Sequence, residues 1–387
     1  MKKASVITAV LGGVPLLLGL ASVGPAQAQT LDVCVNNKNG NVSWVSSDKG
    51  KCKKNQTLET INQQGPPGPP GPQGPAGPQG PAGPAGLAVN PLQVAIGRWY
   101  GANQVATFSP GNGTSSFQGM AFDGQNMWIA DEGNNSVVEV NAATGNLVGT
   151  FAVGTKPVAV AYDGQHIWVS NNGSDSVTEL NAGDGSTAAT VTVSAAPQGI
   201  VFDGINIWVA LVGSNEIAQI PASQAKVLTT VTVGNAPYGL AFDGTNVWVT
   251  NSGDNTVSEV AIKTATVSGG PFSVGTTPQG IVFDGNHMWI ANNGSANVSE
   301  LNVTDGSTVT GSPFAVGNGP SGINWDGAHI IRVANTSDGT VSVLNVATGS
   351  QVGVAVKVQG PSPATPTYIG FDGINAWVAD GTSVAKF

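Results

Sequence analysis

Residues 239–250 read Gly239-Leu240-Ala241-Phe242-Asp243-Gly244-Thr245-Asn246-Val247-Trp248-Val249-Thr250. Two short runs of β-branched, aromatic and small residues flank an Asp-Gly turn, in which glycine supplies the positive φ a tight reversal needs. That is a strand, a turn and a second strand. Reading outward, Asn251-Ser252-Gly253-Asp254 turns the chain again, and Val257-Ser258-Glu259-Val260 alternates as a third strand. Upstream, Leu228 to Val233 has the pattern of a fourth strand from the preceding copy. Period-two alternation runs throughout, with no helical period.

The unit aromatic-Asp-Gly-x-(Asn/His)-x-Trp recurs from residue 117 onward. Its aspartates are Asp123, Asp163, Asp203, Asp243, Asp284, Asp326 and Asp372, spaced by 40, 40, 40, 41, 42 and 46. Seven four-stranded copies at this period predict a β-propeller or a solenoid. The chain ends discriminate between them. The last copy stops at Phe387, after its third strand, Thr382 to Phe387. An orphan strand, Asn103-Gln104-Val105-Ala106-Thr107-Phe108, precedes the first copy and aligns with Asn146 to Phe151. Joining Phe387 to Arg98 makes the Asp372-to-Asp123 spacing 41, which matches the repeat. The N-terminal strand is therefore expected to complete the seventh blade and close a ring without exposed sheet edges. The predicted fold class is all-β, a seven-bladed propeller over residues 87–387.

The repeat resembles the YVTN family of seven-bladed propellers, close to NHL-type and streptogramin-lyase-like propellers. Trp248-Val249-Thr250-Asn251 nearly spells the family signature, with Trp168-Val169-Ser170-Asn171 and Trp289-Ile290-Ala291-Asn292 as variants. The resemblance covers residues 92–387. It implies the fold, and it leaves the role open because such propellers host many activities.

Residues 1–28 read as a secretory signal peptide: Lys2 and Lys3, an apolar stretch from Val6 to Leu20, and an Ala26-Gln27-Ala28 cleavage site. Export makes the expected location extracellular or cell-surface. Residues 29–64 form a small module with both cysteines, Cys34 and Cys52, and an oxidising compartment makes one disulfide the default pairing. Residues 65–86 place glycine at every third position, with proline after seven of the eight glycines. Strict G-x-y spacing is the requirement of a collagen-like polyproline II segment. A homotrimer through this stalk is one reading and a semi-rigid monomeric spacer is the other. Residues 29–86 together resemble the leader and G-P-x run of bacterial collagen-like surface proteins.

Composition narrows the function further. Charged residues make up 10% of the 387-residue chain, and there are only 3 His and 2 Cys, which excludes a multi-Cys/His zinc protein. The formal charge of −9 opposes nucleic-acid binding, and no later stretch is long and apolar enough for a transmembrane span. The charge is partitioned: residues 87–387 carry seven basic and twenty acidic side chains, a net of −13, below a basic Cys module.

Six tryptophans share one repeat position: Trp128, Trp168, Trp208, Trp248, Trp289 and Trp377. They read as inter-blade packing, with Ile331 in that place in the sixth copy and Trp325 restoring the bulk. The seven turn aspartates read as bonding their own backbone. His166, His287 and His329 fall where other copies have Asn126, Asn206, Asn246 and Asn375, and a tolerance for left-handed backbone accounts for both residue types. All three histidines lie in the turn between the first and second strands, away from the face where acid–base chemistry would be expected. That opposite face is formed by the loops into the first strand and after the second. The loops Gly111 to Gly119 and Gly360 to Tyr368 are three residues longer than their counterparts, in blades one and seven. Those blades carry Asp131, Glu132 and Asp380 where others mostly have asparagine: Asn171, Asn251, Asn292 and Asn335. This makes a candidate binding patch, with Asp131 and Asp380 as candidate ligands of a divalent cation. Loop drift near the chain ends is the alternative. Gln118, Gln198, Tyr238 and Gln279 are candidates for the rim of a central channel.

The expected role is a secreted, non-enzymatic binding protein with a propeller head on a collagen-like stalk. It would meet an extracellular, cell-wall, glycan or protein ligand and need no cofactor beyond that candidate cation. A streptogramin-lyase-like or other propeller lyase or hydrolase, and a purely structural envelope repeat protein, are the alternatives.

Overall fold

The computed structural model of the chain describes residues 30–36, 42–44, 56–62, 107–110, 114–358 and 364–387. Two compact units, Met1–Pro84 and Ala85–Phe387, divide it. In the first, Thr30–Asn36 is the middle strand of an antiparallel sheet, flanked by Val42–Trp44 and Gln56–Asn62. The sequence reading assigned no strands there. The signal segment, the pairing of Cys34 with Cys52 and the G-x-y run lie outside the described residues.

The second unit is a seven-bladed β-propeller, and no helix occurs among its described residues. Each blade is a four-stranded antiparallel sheet, in sequence order in the first six. In blade four these strands are Pro237–Phe242, Asn246–Asn251, Thr256–Ala261 and Thr266–Ser273. Each innermost strand lies against the next, and that of blade seven lies against that of blade one. Blade seven comprises Pro366–Phe371, Ala376–Asp380 and Ser383–Lys386, completed by Thr107–Phe108. Its register pairs Val384 with Phe108 and Ala385 with Thr107, so the ring closes as the repeat spacing requires.

The shared Asp-Gly turn and Trp form one device. Asp243 Oδ1 accepts the backbone N–H groups of Thr245 and Asn246, both at 2.7 Å, and Oδ2 accepts the indole N–H of Trp248 at 2.7 Å. Asp123, Asp163, Asp203, Asp284 and Asp372 hold Trp128, Trp168, Trp208, Trp289 and Trp377 in the same way. All six tryptophans are fully buried. A buried indole is thereby satisfied by the same carboxylate that shapes the turn. The sequence reading supplied the packing and the backbone bonds, but not this link.

Two of its details need correction. First, left-handed backbone in these turns belongs to the glycines, such as Gly244 at φ 96°, and to none of the histidines. His166 and His287 instead begin second strands and face acids, as described below. Second, blade six carries one extra turn residue. Asp326 pairs its N–H with the carbonyl of Ile330, and Arg332 stands opposite Val343 in the register that sets Trp289 opposite Glu300. Arg332, not Ile331, therefore occupies the tryptophan position, half-buried over the ring of Phe371 at 5.7 Å. Ile331 and Trp325 do pack in the core beside Trp289.

The third strand sets an acid opposite most of the tryptophans: Glu139, Glu179, Glu259 and Glu300, with Gln219 in blade three. Glu139 accepts the side-chain N–H of Asn126 at 2.7 Å. Burial, then the charge of Asp123, raises its pKa above the ordinary carboxylate value, and the Asn126 bond only partly offsets them. A raised folded-state pKa favours the protonated form. Stability from this site therefore falls as pH rises from the unfolded pKa through the folded one, and the penalty persists above it. Glu139→Gln, which copies blade three, is expected to raise Tm by about 2 °C at neutral pH, with the difference vanishing near pH 4. Thermal melts of both proteins across that range check it, and a constant offset would contradict the account. Asp163 and Asp372 act with the opposite sign. Burial pushes them up, but indole and backbone N–H donors outweigh it and lower their pKa, so their stabilisation is lost as pH falls.

Candidate functional site at the channel mouth

The innermost strands bulge just after their first residue, as between Pro237 and Leu240 or Pro278 and Ile281. A bulge re-aims the side chains around it. Glycine is the third residue of most of these strands because neighbouring strands nearly touch at the ring's centre: a Cβ on Gly239 would collide with the carbonyl of Gln279. Hydroxyls in the second strands or just after them latch one blade to the next. Ser170 donates to the carbonyl of Gln198 at 2.6 Å, Thr250 to that of Gln279 at 2.8 Å, and Thr336 to that of Pro366 at 2.7 Å.

These strands surround a central cavity of about 500 Å³ to which all seven blades contribute. Its wall carries apolar side chains from every blade, from Met120 through Leu240 to Ile369, and its mouth carries polar groups. Gln118, Tyr238 and Gln279 line it, as the sequence reading expects. Gln198 does not, although its neighbour Gly199 does. Tyr368, Thr367, Ser321, Thr336 and Asn293 also line it, and the sequence reading did not place them there. None of the described lining residues is charged.

The two tyrosines come from blades four and seven and influence each other across the channel. Burial raises the hydroxyl pKa of Tyr368 well above the ordinary value, reinforced by Tyr238 and by the negative charge of Glu132. Burial raises Tyr238 as well; the side chain of Tyr368 partly offsets this, and Glu132 adds to it. Both are therefore neutral hydroxyls at physiological pH, able to donate and accept. Glu132 stands beside the mouth and accepts the side-chain N–H of Gln118 at 2.9 Å.

Asp131 and Asp380 serve the loops of their own blades. Asp131 is buried, with Oδ1 accepting the backbone N–H of Ser116 at 2.9 Å and Oδ2 the side-chain N–H of Asn134 at 2.7 Å. Asp380 accepts the backbone N–H of Thr365 at 2.5 Å, and its other oxygen is buried with no partner among the described residues. Burial raises its pKa, and the Thr365 bond only partly offsets this. In blade four the same place belongs to Asn251, which accepts the N–H of Gly234 at 3.1 Å. Residues 111–113 and 359–363 of the two long loops lie outside the described residues. Asp131, Glu132 and Asp380 do not converge as a three-ligand cluster; among the described residues that arrangement occurs at Asp284, His287 and Glu300. His166 and His287 begin the second strand at its other end, five residues or roughly 17 Å from the mouth, and His329 lies in the turn just before it.

The chain matches no protein-family model and no curated protein. Solved structures do resemble it. A chain of Kuenenia stuttgartiensis hydrazine synthase is 17% identical with a TM-score of 0.64, covering 74% of this chain and 98% of that one. Virginiamycin B lyase from Staphylococcus aureus is 18% identical at TM-score 0.64, covering 73% and 98%. A streptogramin B lyase is 17% identical at TM-score 0.63, covering 73% and 96%. The likeness is one of fold. It agrees with the seven blades read from the repeat, and at these identities it carries no activity across.

Proposed function

We propose that this chain is a secreted or surface-displayed binding protein whose propeller head takes a neutral, hydroxyl- or amide-rich ligand, such as a cell-wall glycan or a polar peptide, at the channel mouth. The observation that carries this reading is the mouth itself: uncharged donors and acceptors over an apolar wall, in a cavity of about 500 Å³. Such a surface matches ligands with an apolar face and many neutral polar groups. Binding of this kind needs no cofactor. The G-x-y segment would serve as the stalk and the disulfide module as its foot. If the stalk trimerises, three heads bind with avidity.

A lyase-like reading is the second, motivated by the fold shared with virginiamycin B lyase. Its acid–base group would have to come from Tyr238, Tyr368 or the adjacent Glu132, since the histidines stand at the far end of the blades.

One experiment separates the two. The full secreted chain is tested against glycan, peptidoglycan and peptide arrays and is incubated with a streptogramin B. Stable binding is expected, weakened at least about tenfold by the Gln118→Ala/Gln279→Ala double variant and changed little by salt, because no lining charge is there to be screened. Mass spectrometric conversion of the antibiotic, or array binding indifferent to the double variant, would overturn the proposal. Sedimentation of the same sample reads the oligomeric state.

A further inference from the structure

In blade five Asp284, whose Oδ2 accepts the indole N–H of Trp289 at 2.7 Å, also takes part in an arrangement that neither the shared turn nor the channel requires. Asp284 and Glu300 are both buried, 4% and 3% exposed, and they face a single imidazole. His287 Nδ1 is 3.1 Å from Glu300 Oε1 and 3.7 Å from Asp284 Oδ2. One ligand atom from each residue falls within 4.8 Å of the other two. Around a tetrahedral zinc, with bonds near 2.0–2.2 Å, ligand atoms stand roughly 3.3 Å apart. The cluster already approximates that triangle, and the partly exposed His287 leaves a side open to solvent.

The other blades show what the site does without histidine. In blades one and four the position is Asn126 or Asn246, whose amide donates to Glu139 or Glu259 and satisfies the buried acid as a neutral pair. In blade three, where the acid is Gln219, Asn206 donates instead to its turn aspartate at 3.0 Å. Asparagine thus suffices for the turn. Histidine replaces it on an acid-bearing blade only at His166 and His287, and it exchanges an obligate donor for a nitrogen that can coordinate. Glu300 has no amide donor of that kind. Blade two repeats the composition with Asp163, His166 and Glu179, at 3.2 and 3.4 Å from the imidazole, without the three-way convergence of blade five. In blade six the longer turn leaves His329 exposed, with Val343 in the acid's place.

We propose that Asp284 Oδ2, His287 Nδ1 and Glu300 Oε1 form a structural site for a borderline divalent transition metal, of which Zn²⁺ is the type. One imidazole and two carboxylates suit that class better than Ca²⁺ or Mg²⁺, which favour all-oxygen shells. The ion is held by the Nδ1 lone pair of a neutral imidazole and by one oxygen of each carboxylate, and any proton on these ligand atoms leaves to solvent. The metal ties the Asp-Gly turn to the third strand, at the end of the blade away from the channel mouth. The site is independent of the ligand reading above.

The test uses the full chain and Zn²⁺ itself, in competition with a chromophoric chelator. Wild type is expected to hold one ion with Kd of about 1 µM or tighter. His287→Asn is expected to fold, because Asn126 and Asn246 occupy that position in its neighbours, and to lose at least about 100-fold in affinity. Glu300→Gln should lose at least about tenfold, while His166→Asn and His329→Asn leave the tight site intact. Zn²⁺ should raise the Tm of wild type and not of His287→Asn. A wild type that takes up no stoichiometric Zn²⁺, or a His287→Asn chain that binds it equally well, overturns the proposal.

Discussion

Trp248→Ala is expected to lower Tm by on the order of 10 °C, since truncating a fully buried tryptophan costs about 3–5 kcal/mol. Trp248 is fully buried, in a core cluster with Val257, Ile281, Met288 and Ile290 that joins blades four and five. Its ring stacks on Phe272 with centroids 5.5 Å apart. Alanine leaves a cavity that two rigid sheets cannot collapse into, and it strips Asp243 Oδ2 of its indole donor. Trp248→Phe separates the two contributions: it keeps most of the bulk and loses only the hydrogen bond, about 1–3 kcal/mol when the orphaned carboxylate oxygen stays desolvated. Differential scanning calorimetry of the three proteins checks the order wild type, phenylalanine, alanine. An alanine variant melting within about 2 °C of wild type would mean that the indole is not an inter-blade anchor.

The same residue shows what the sequence made legible. A fully buried Trp recurring with an Asp-Gly turn reports the blade, because a closed ring imposes one geometry seven times. Ring closure was legible for the same reason: only one strand, ending at Phe108, was free to complete the seventh blade. What stayed hidden depended on register or on distant partners. Asp326 and Asn335 are nine residues apart, where Asp243 and Asn251 are eight, and that single insertion moves Arg332 into the tryptophan position. Counting from the turn alone assigns the place to Ile331, whereas counting from both ends of the strand finds the shift. The Asp–Trp bond joins a turn to a strand five residues on, a link that composition does not disclose. Tyr368 was counted only as the end of a lengthened loop and not as a channel residue, because it reaches the channel only when blade seven meets the ring. Asp131 and Asp380 were conspicuous by type, yet both turn inward to hold backbone N–H groups of their own loops, as Asn251 does in its blade. His287 was discounted for lying far from the channel, and distance from one site is no argument against another.

Removing the closing strand should be the most damaging change available outside the core. A chain of residues 87–387 is expected to stay monomeric and to melt cooperatively, whereas residues 109–387 should aggregate or melt at least about 15 °C lower. The deletion takes away Thr107 and Phe108 and bares the third strand of blade seven, Ser383–Lys386, in which Val384 and Ala385 are fully buried. Its backbone groups become an unpaired edge beside exposed valine, a template for another chain. The damage should spread beyond one blade, because blade seven also seals the ring: the N–H of Phe117 bonds the carbonyl of Gly381 at 2.7 Å, and Lys386 reaches the carbonyl of Ala142 in blade one. A synthetic peptide of residues 98–110 added in trans should restore monomeric behaviour and much of the lost Tm, since it supplies the same strand without the covalent link. The restoration should require millimolar rather than stoichiometric peptide, because the tethered strand enjoys an effective concentration in roughly that range. Size-exclusion chromatography with and without the peptide reads both outcomes. A truncated chain that stays monomeric and equally stable would show that blade seven closes on the ring through its innermost strand alone.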